Sequence, residues 1–166
     1  MKQLEAREVV IGENRFYIRP FPAFKAANLS GELATLIAPI ISGVSMLAGD
    51  EEKEGKNIFD MDIKDTAPAI TAAFSSISGD KIEKILKHLL LSGNNVSVEI
   101  PNERVQLLTE EIANEVFCAD VQDMFLLAFE VIKTNYSGFF KKLGTRFGSL
   151  GKKVQTAMPS TENMAI

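Results

Sequence analysis

The sequence predicts a mainly helical fold with a small β component, an α+β class. Apolar residues recur at steps of three and four through most of the chain, and two β-rich runs are each interrupted by turn formers. The chain has 166 residues and 46% apolar content, which is the size and composition of one packed domain. We therefore expect a single mainly helical domain over residues 1–140 and a basic flexible tail over 141–166.

The N-terminal segment alternates in the manner of a β-hairpin. Residues 4–11 (LEAREVVI) and 15–20 (RFYIRP) flank the turn formers Gly12, Glu13 and Asn14. In the second run the two arginines and the tyrosine share one face of the strand, while the phenylalanine and the isoleucine share the other. The first face should therefore be wet and the second should belong to the core.

A helix should begin near Pro22, because Pro20 cannot donate a ladder hydrogen bond and the fixed φ of Pro22 suits a first turn. Apolar residues continue at helical spacing to Ile40. Gly31 weakens this pattern, and Pro39 should kink or end the helix. One long helix and two shorter helices are both compatible with the segment.

An acidic loop should occupy about residues 49–65, which hold seven acidic and three basic side chains. A helix capped by Thr66 or Asp65 should follow, with Pro68 in its first turn. The next helix should start at Asp80–Glu83 (DKIE), which has the spacing of a capping box. These two segments read as a helical hairpin.

A second short hairpin should follow, over residues 94–101 and 104–109. Thr109 is then the expected cap of a brief helix, and Asp120 that of the strongest helix in the chain. We expect the chain to lose regular structure after Phe140, where glycines stand among lysines, serines and threonines.

Charge is unevenly distributed along the chain. Residues 1–140 hold 21 acidic and 13 basic side chains, whereas 141–166 hold one acidic and five basic side chains. An acidic body argues against broad binding of nucleic acid, because neutralising phosphates requires a basic face. The basic tail alone could make a few weak contacts to nucleic acid.

The sequence offers no set of residues for catalysis, a metal or a cofactor. His88 stands alone on a leucine-rich helix, and Cys118 reads as a small buried side chain just before a helix cap. The acidic Asp60–Asp65 lacks the glycine and the final glutamate of a calcium loop, and Gly144–Lys153 lacks the order of a phosphate loop. We therefore expect a protein that is not an enzyme.

Membrane insertion is also not expected. The most apolar run, residues 33–49, is shorter than a spanning helix and is interrupted by Pro39 and Gly43. The first ten residues alternate charged and apolar side chains and do not resemble a secretory signal. With a single cysteine, the chain fits a reducing compartment, and the cytosol is the expected location.

Three stretches have a familiar order: FYIRPFPAFKA at Phe16–Ala26, AFSSISGDKIEKILKHLLL at Ala73–Leu91, and FCADVQDMFLLAFEVIKTNYSGFF at Phe117–Phe140. Together they resemble the tail assembly chaperones of long-tailed bacteriophages and prophages. The resemblance implies a non-enzymatic protein that binds the tape measure protein and keeps it soluble. It also implies help in recruiting tail tube subunits, and a location in the bacterial host cytoplasm rather than in the mature virion.

The resemblance does not map a binding site, so candidates come from residue type. Aromatic and branched aliphatic side chains carry most of the binding energy at protein interfaces. The candidate partner-binding residues are Phe21, Phe24, Leu36, Ile40, Phe125 and Phe129. Self-association into rings or filaments is compatible with a protein that coats an extended partner, but the sequence fixes no symmetry.

Two other functions stay open at this point. A small regulator or adaptor could bind nucleic acid through the basic tail, which predicts salt-sensitive binding that is lost without residues 141–166. A hydrolase could use Cys118 with His88, although the sequence shows no third group to orient the histidine.

Overall fold

The structure is a computed structural model that describes residues 5–47 and 62–155. In the described part, two strands are followed by three helices, two further strands and two further helices, which is the element order of an α+β fold. The predicted fold class is confirmed. The expected acidic segment lies, over residues 49–61, outside the described residues.

The strands form one antiparallel sheet in the order β1-β2-β3-β4. The first hairpin consists of β1 (Arg7–Ile11) and β2 (Asn14–Ile18), and the second of β3 (Val96–Glu99) and β4 (Gln106–Leu107). Both predicted hairpins are confirmed, with shorter strands than expected. Pairing of β2 with β3 joins them, so that strands far apart in sequence build one sheet.

The second strand has one wet and one buried face, as its alternation predicted. Phe16 and Ile18 are fully buried, and the Phe16 ring stacks on Phe117 with centroids 5.7 Å apart. On the other face, Tyr17 donates a hydrogen bond of 2.8 Å to the Glu99 carboxylate. The inner face of the sheet is therefore part of the core.

The first helix, α1 (Ala23–Leu47), is a single helix that contains both Gly31 and Pro39. Its start is fixed to the last helix by two long-range hydrogen bonds. The Phe21 amide donates to Asn135 Oδ1 at 2.6 Å, and the Tyr136 hydroxyl donates to the Ala26 carbonyl at 2.8 Å. The corner between the sheet and α1 is thus held by side chains more than 100 positions away in sequence.

The helix α2 (Ile63–Ser75) starts earlier than predicted. Asp62 is its cap, since its side chain accepts a hydrogen bond from the Lys64 amide at 3.2 Å. The expected caps, Asp65 and Thr66, lie inside the helix, and Pro68 lies beyond its first turn. The end of the acidic segment therefore belongs to α2, which corrects the predicted boundary.

The helix α3 (Gly79–Leu90) begins at a backbone cap instead of the predicted capping box. Ser78 precedes it in an extended conformation, and the Ser78 carbonyl accepts from the Lys81 amide at 3.0 Å. No side-chain cap hydrogen bond forms at this terminus. Because Asp80 already lies within the helix, its spacing to Glu83 does not have the cap geometry.

The last two helices are α4 (Glu110–Val116) and α5 (Val121–Gln155). Thr109 caps α4 as predicted, accepting from the Ile112 amide at 3.3 Å. The backbone is helical through Gln155, in a region where the sequence predicted a flexible tail. Contacts within the chain divide it into two compact units, one that ends at Tyr136 and one that starts at Ser137.

Candidate functional site

An apolar groove of about 340 Å³ lies between α3, α4 and the start of α5. Its polar lining is limited to Glu83, Lys87, Glu110 and Asn114. The apolar lining comes from all three helices: Ile82, Leu86, Leu90, Leu91, Ala113, Val121, Met124 and Phe125. Concave apolar surface with a few polar groups at its edge is the usual form of a binding site.

The α3 wall follows from helical spacing. Ile82, Leu86 and Leu90 are four residues apart and line the groove, and Leu86 and Leu90 are at the same time buried, like Ile85 and Leu89. Leu86 and Leu90 therefore belong both to the core and to the wall of the groove.

The α5 wall is formed by Val121, Met124 and Phe125 in the first turns of that helix. Val121 is half exposed, so apolar surface reaches the solvent at this end of the groove. Phe125 stacks on Phe74 of α2, with ring centroids 5.2 Å apart and planes 9° apart. The α5 wall of the groove is therefore fixed to the core.

One lysine crosses the mouth of the groove. The Lys87 ammonium lies 2.9 Å from Glu83 Oε1 on its own helix and 2.9 Å from Glu110 Oε1 on α4. Its hydrogen bonds to Glu83 and then to Glu110 raise the pKa of Lys87, and its ammonium lowers the pKa of the Glu83 carboxyl. The mouth carries two carboxylates and one ammonium, which gives it a net negative charge.

The six predicted partner-binding residues lie in different environments in the structure. Phe125 lines the groove, and Phe24 is 93% exposed at the start of α1. Phe21 and Phe129 are buried, the first as a plug at the corner between the sheet and α1. Leu36 and Ile40 lie on α1, and their side chains are outside the described part.

Sequence reasoning missed Leu86, Val121 and Met124, which line the groove beside Phe125. Their spacing identified apolar helix faces, but it did not show that these faces line the same groove. The i,i+4 pair of Glu83 and Lys87 was readable as a helix pair. The second carboxylate on Lys87, from α4, is visible only in three dimensions.

Residues 12–148 match the family model of the phage tail assembly chaperone protein, TAC. The chain belongs to this family. The match spans most of the chain, from the turn of the first hairpin into α5, and includes every residue that lines the groove. Comparison with curated proteins and with solved structures gave no match.

In this chaperone family member, His88 and Cys118 lie in different settings. His88 Nδ1 is 3.7 Å from Glu32 Oε2, and Lys84 donates a hydrogen bond of 3.1 Å to the other oxygen of that carboxylate. Cys118 is exposed in the connection between α4 and α5, which corrects the expectation of a buried side chain. In the same short connection Phe117 is buried, so the chain turns its aromatic ring inward and leaves the next residue, Cys118, exposed.

Within residues 5–47 and 62–155, no cluster of three or more His, Cys, Asp or Glu side chains could hold a metal ion. In the same ranges, no helix combines the length and apolar character that crossing a bilayer requires.

Proposed function

We propose that this tail assembly chaperone is a non-enzymatic protein that binds the tape measure protein in the host cytoplasm. It keeps that client soluble, helps to recruit tail tube subunits, and is absent from the mature virion. The family match over residues 12–148 carries the proposal. It supplies the role in tail assembly, and the apolar groove supplies a surface for an extended helical client.

The groove suits an amphipathic client for a physical reason. A long helical protein that has not yet assembled exposes an apolar stripe, and this stripe aggregates unless another apolar surface covers it. The walls of the groove present Leu86, Met124 and Phe125 to such a stripe.

Phe24 is the natural second contact. It is 93% exposed, which is unusual for a large aromatic side chain, and it stands at the first turn of α1. Aromatic side chains in such positions are frequent anchors of protein interfaces. Binding at Phe21, Leu36, Ile40 and Phe129 stays a prediction from residue type, and two of these, Phe21 and Phe129, are buried in the unbound chain.

The test is co-expression of this chain with the tape measure protein of the same phage. That gene is expected beside the present reading frame, with the tail tube gene on the other side. The wild-type chain should hold the tape measure protein in the soluble fraction and co-purify with it. The proposal fails if the client stays insoluble and nothing co-purifies.

A matched pair of variants locates the contact. Val121 and Val105 are both about half exposed, but only Val121 lines the groove. Val121→Asp places a charge on the apolar wall and should reduce co-purification, because a client side chain would have to desolvate it. Val105→Asp should leave co-purification unchanged. Equal loss in both variants would move the contact away from the groove.

A further inference from the structure

The two sides of the groove differ in charge. The helix α4 carries the acidic side chains of Glu110, Glu111 and Glu115 and no lysine, arginine or histidine. On α3, the charged residues that line the groove are Glu83 and Lys87, whereas Lys81 and Lys84 line a separate cleft beside Glu32. An occupant of the groove therefore meets an acidic field on the α4 side.

The lysine at the mouth does not cancel this field. Lys87 is shared by Glu83 and Glu110, so one positive charge faces two negative charges at the edge of the groove. Both carboxylates remain more than half exposed, at 66% for Glu83 and 59% for Glu110. Their free lone pairs can accept further hydrogen bonds from a cation that approaches along the mouth.

The apolar lining requires an occupant with apolar side chains on one face. The groove lies between helices and is partly open to solvent, which is compatible with an amphipathic helix that buries side chains at positions i, i+3 or i+4, and i+7. The half-exposed Val121 at one end extends the apolar surface beyond the enclosed part. A purely charged ligand would leave this surface exposed.

We propose that the groove selects an amphipathic helix of a partner protein that carries lysine or arginine along the edge facing α4. The apolar face provides the attachment, and the basic edge provides the selection and the orientation. This inference rests on the proposed function and deepens it, because it names the chemistry of the client segment that the chaperone recognises.

Two synthetic peptides test the selection directly. Both have the same leucine stripe at i, i+3 and i+7 on a helix-forming sequence, and they differ only in lysines or glutamates beside the stripe. Each is titrated into the purified full chain and followed by fluorescence anisotropy. The lysine peptide should bind about five- to tenfold tighter, the size that a few exposed charge pairs produce, and added salt should shrink the difference.

Substitutions at the mouth should shift the preference in opposite directions. Combining Glu83→Gln with Glu110→Gln leaves Lys87 as the only charge there, so the preference for the lysine peptide should disappear or reverse. Lys87→Gln removes the positive charge and should strengthen that preference. Damage to the fold would weaken both peptides alike, so opposite shifts separate charge selection from a structural effect. Glu5→Gln, at an exposed position that does not line the groove, is the matched control and should change nothing.

The outcomes distinguish this inference from the function on which it rests. Equal binding of the two peptides, tighter binding of the glutamate peptide, or no binding of either would overturn the charge selection. Co-purification with the tape measure protein could still succeed in that case, and the proposed function would stand. If the lysine peptide binds as expected but the tape measure protein does not co-purify, the groove is correctly described and the proposed client is wrong.

Discussion

The rings of Phe125 and Phe74 lie nearly parallel, with centroids 5.2 Å apart, and they connect the α5 wall of the groove to α2. Phe74 is buried, whereas Phe125 is partly exposed through the groove. A residue that could contact a client is therefore also part of the packing that stabilises the fold. Substitutions at this position have to be interpreted for both effects.

We expect Phe125→Ala to lower the free energy of unfolding by about 2–4 kcal/mol, since it removes buried apolar area and leaves a cavity beside Phe74. Phe125→Leu should cost only about 1 kcal/mol, because most of the volume is kept. Urea denaturation of both variants measures the difference. An unchanged midpoint for Phe125→Ala would show that the stack does not contribute to stability.

Glu130 gives a second prediction, since it is a carboxylate buried to 2% exposure on α5. The Arg7 guanidinium forms an ion pair with its Oε2 at 2.7 Å, but the geometry of this contact is not that of a hydrogen bond. Lys133 Nζ lies 3.8 Å from Glu130 Oε1. Arg7→Ala removes the closest compensating charge from a buried anion. We expect a loss of about 3 kcal/mol in the free energy of unfolding.

The control for this prediction is Arg15→Ala. Arg15 also pairs with a carboxylate, Glu8 at 3.0 Å, but both partners are about half exposed. Water replaces such a pair at little cost, so thermal or urea unfolding should be close to that of the wild type. If both arginine substitutions have the same effect, burial of Glu130 is not what makes Arg7 important.

The sequence predicted those parts of the fold that depend on neighbours along the chain. Alternation in RFYIRP predicted that Phe16 and Ile18 face the core, and the hydroxyl of Thr109 predicted the start of α4. Both follow from local geometry, namely the two-residue period of a strand and the capping of free amides. The resemblance of three stretches to tail assembly chaperones also predicted the family, which the match over residues 12–148 confirms.

What the sequence could not predict depends on contacts between distant segments. Strand β2 pairs with β3, placing Phe16 opposite Val98, and no local signal specifies that partner. Asp80 and Glu83 had the spacing of a capping box, but the helix starts two residues earlier than that box requires. The groove exists only because α3 and α5 meet, so residue type identified Phe125 alone among its lining residues.

Tyr136 should make stability depend on alkaline pH. Burial raises its pKa from 10.0 to about 12, and its hydroxyl donates to the Ala26 carbonyl. Because the folded state favours the neutral phenol, this contribution is complete below pH 10 and is lost as pH rises towards 12. Tyr136→Phe should cost about 1 kcal/mol at neutral pH, and its unfolding curve should approach that of the wild type above pH 10.

An ultraviolet titration of the phenolates gives an independent check of the same group. The chain has two tyrosines, and the pKa of Tyr17 is also raised, mainly by its hydrogen bond to the Glu99 carboxylate. Tyr136→Phe should remove the titration step with a pKa of about 12 and leave the Tyr17 step in place. If a step with a pKa of about 12 persists in the variant, that step does not belong to the buried Tyr136.

The last prediction concerns Gly93, which lies next to the Lys25 ammonium. A Cβ at this position would collide with Lys25 Nζ and would lie 2.9 Å from Asn95 Oδ1. Lys25 donates a hydrogen bond of 2.8 Å to Ser92 Oγ and lies 4.6 Å from the centroid of the Phe21 ring. Burial lowers the pKa of this lysine, so its ammonium depends on these partners.

Gly93→Ala should therefore displace Lys25 and lower the free energy of unfolding by about 1–2 kcal/mol, through the lost hydrogen bond and cation–π contact. Gly31→Ala is the matched control: a Cβ there meets no atom within 4 Å, and alanine should stabilise α1 by about 0.5–1 kcal/mol. In a Lys25→Met background, Gly93→Ala should cost less, since a neutral thioether can yield without losing a charged partner. An equal cost in both backgrounds would show that the space near Gly93 is limited by Asn95 and not by Lys25.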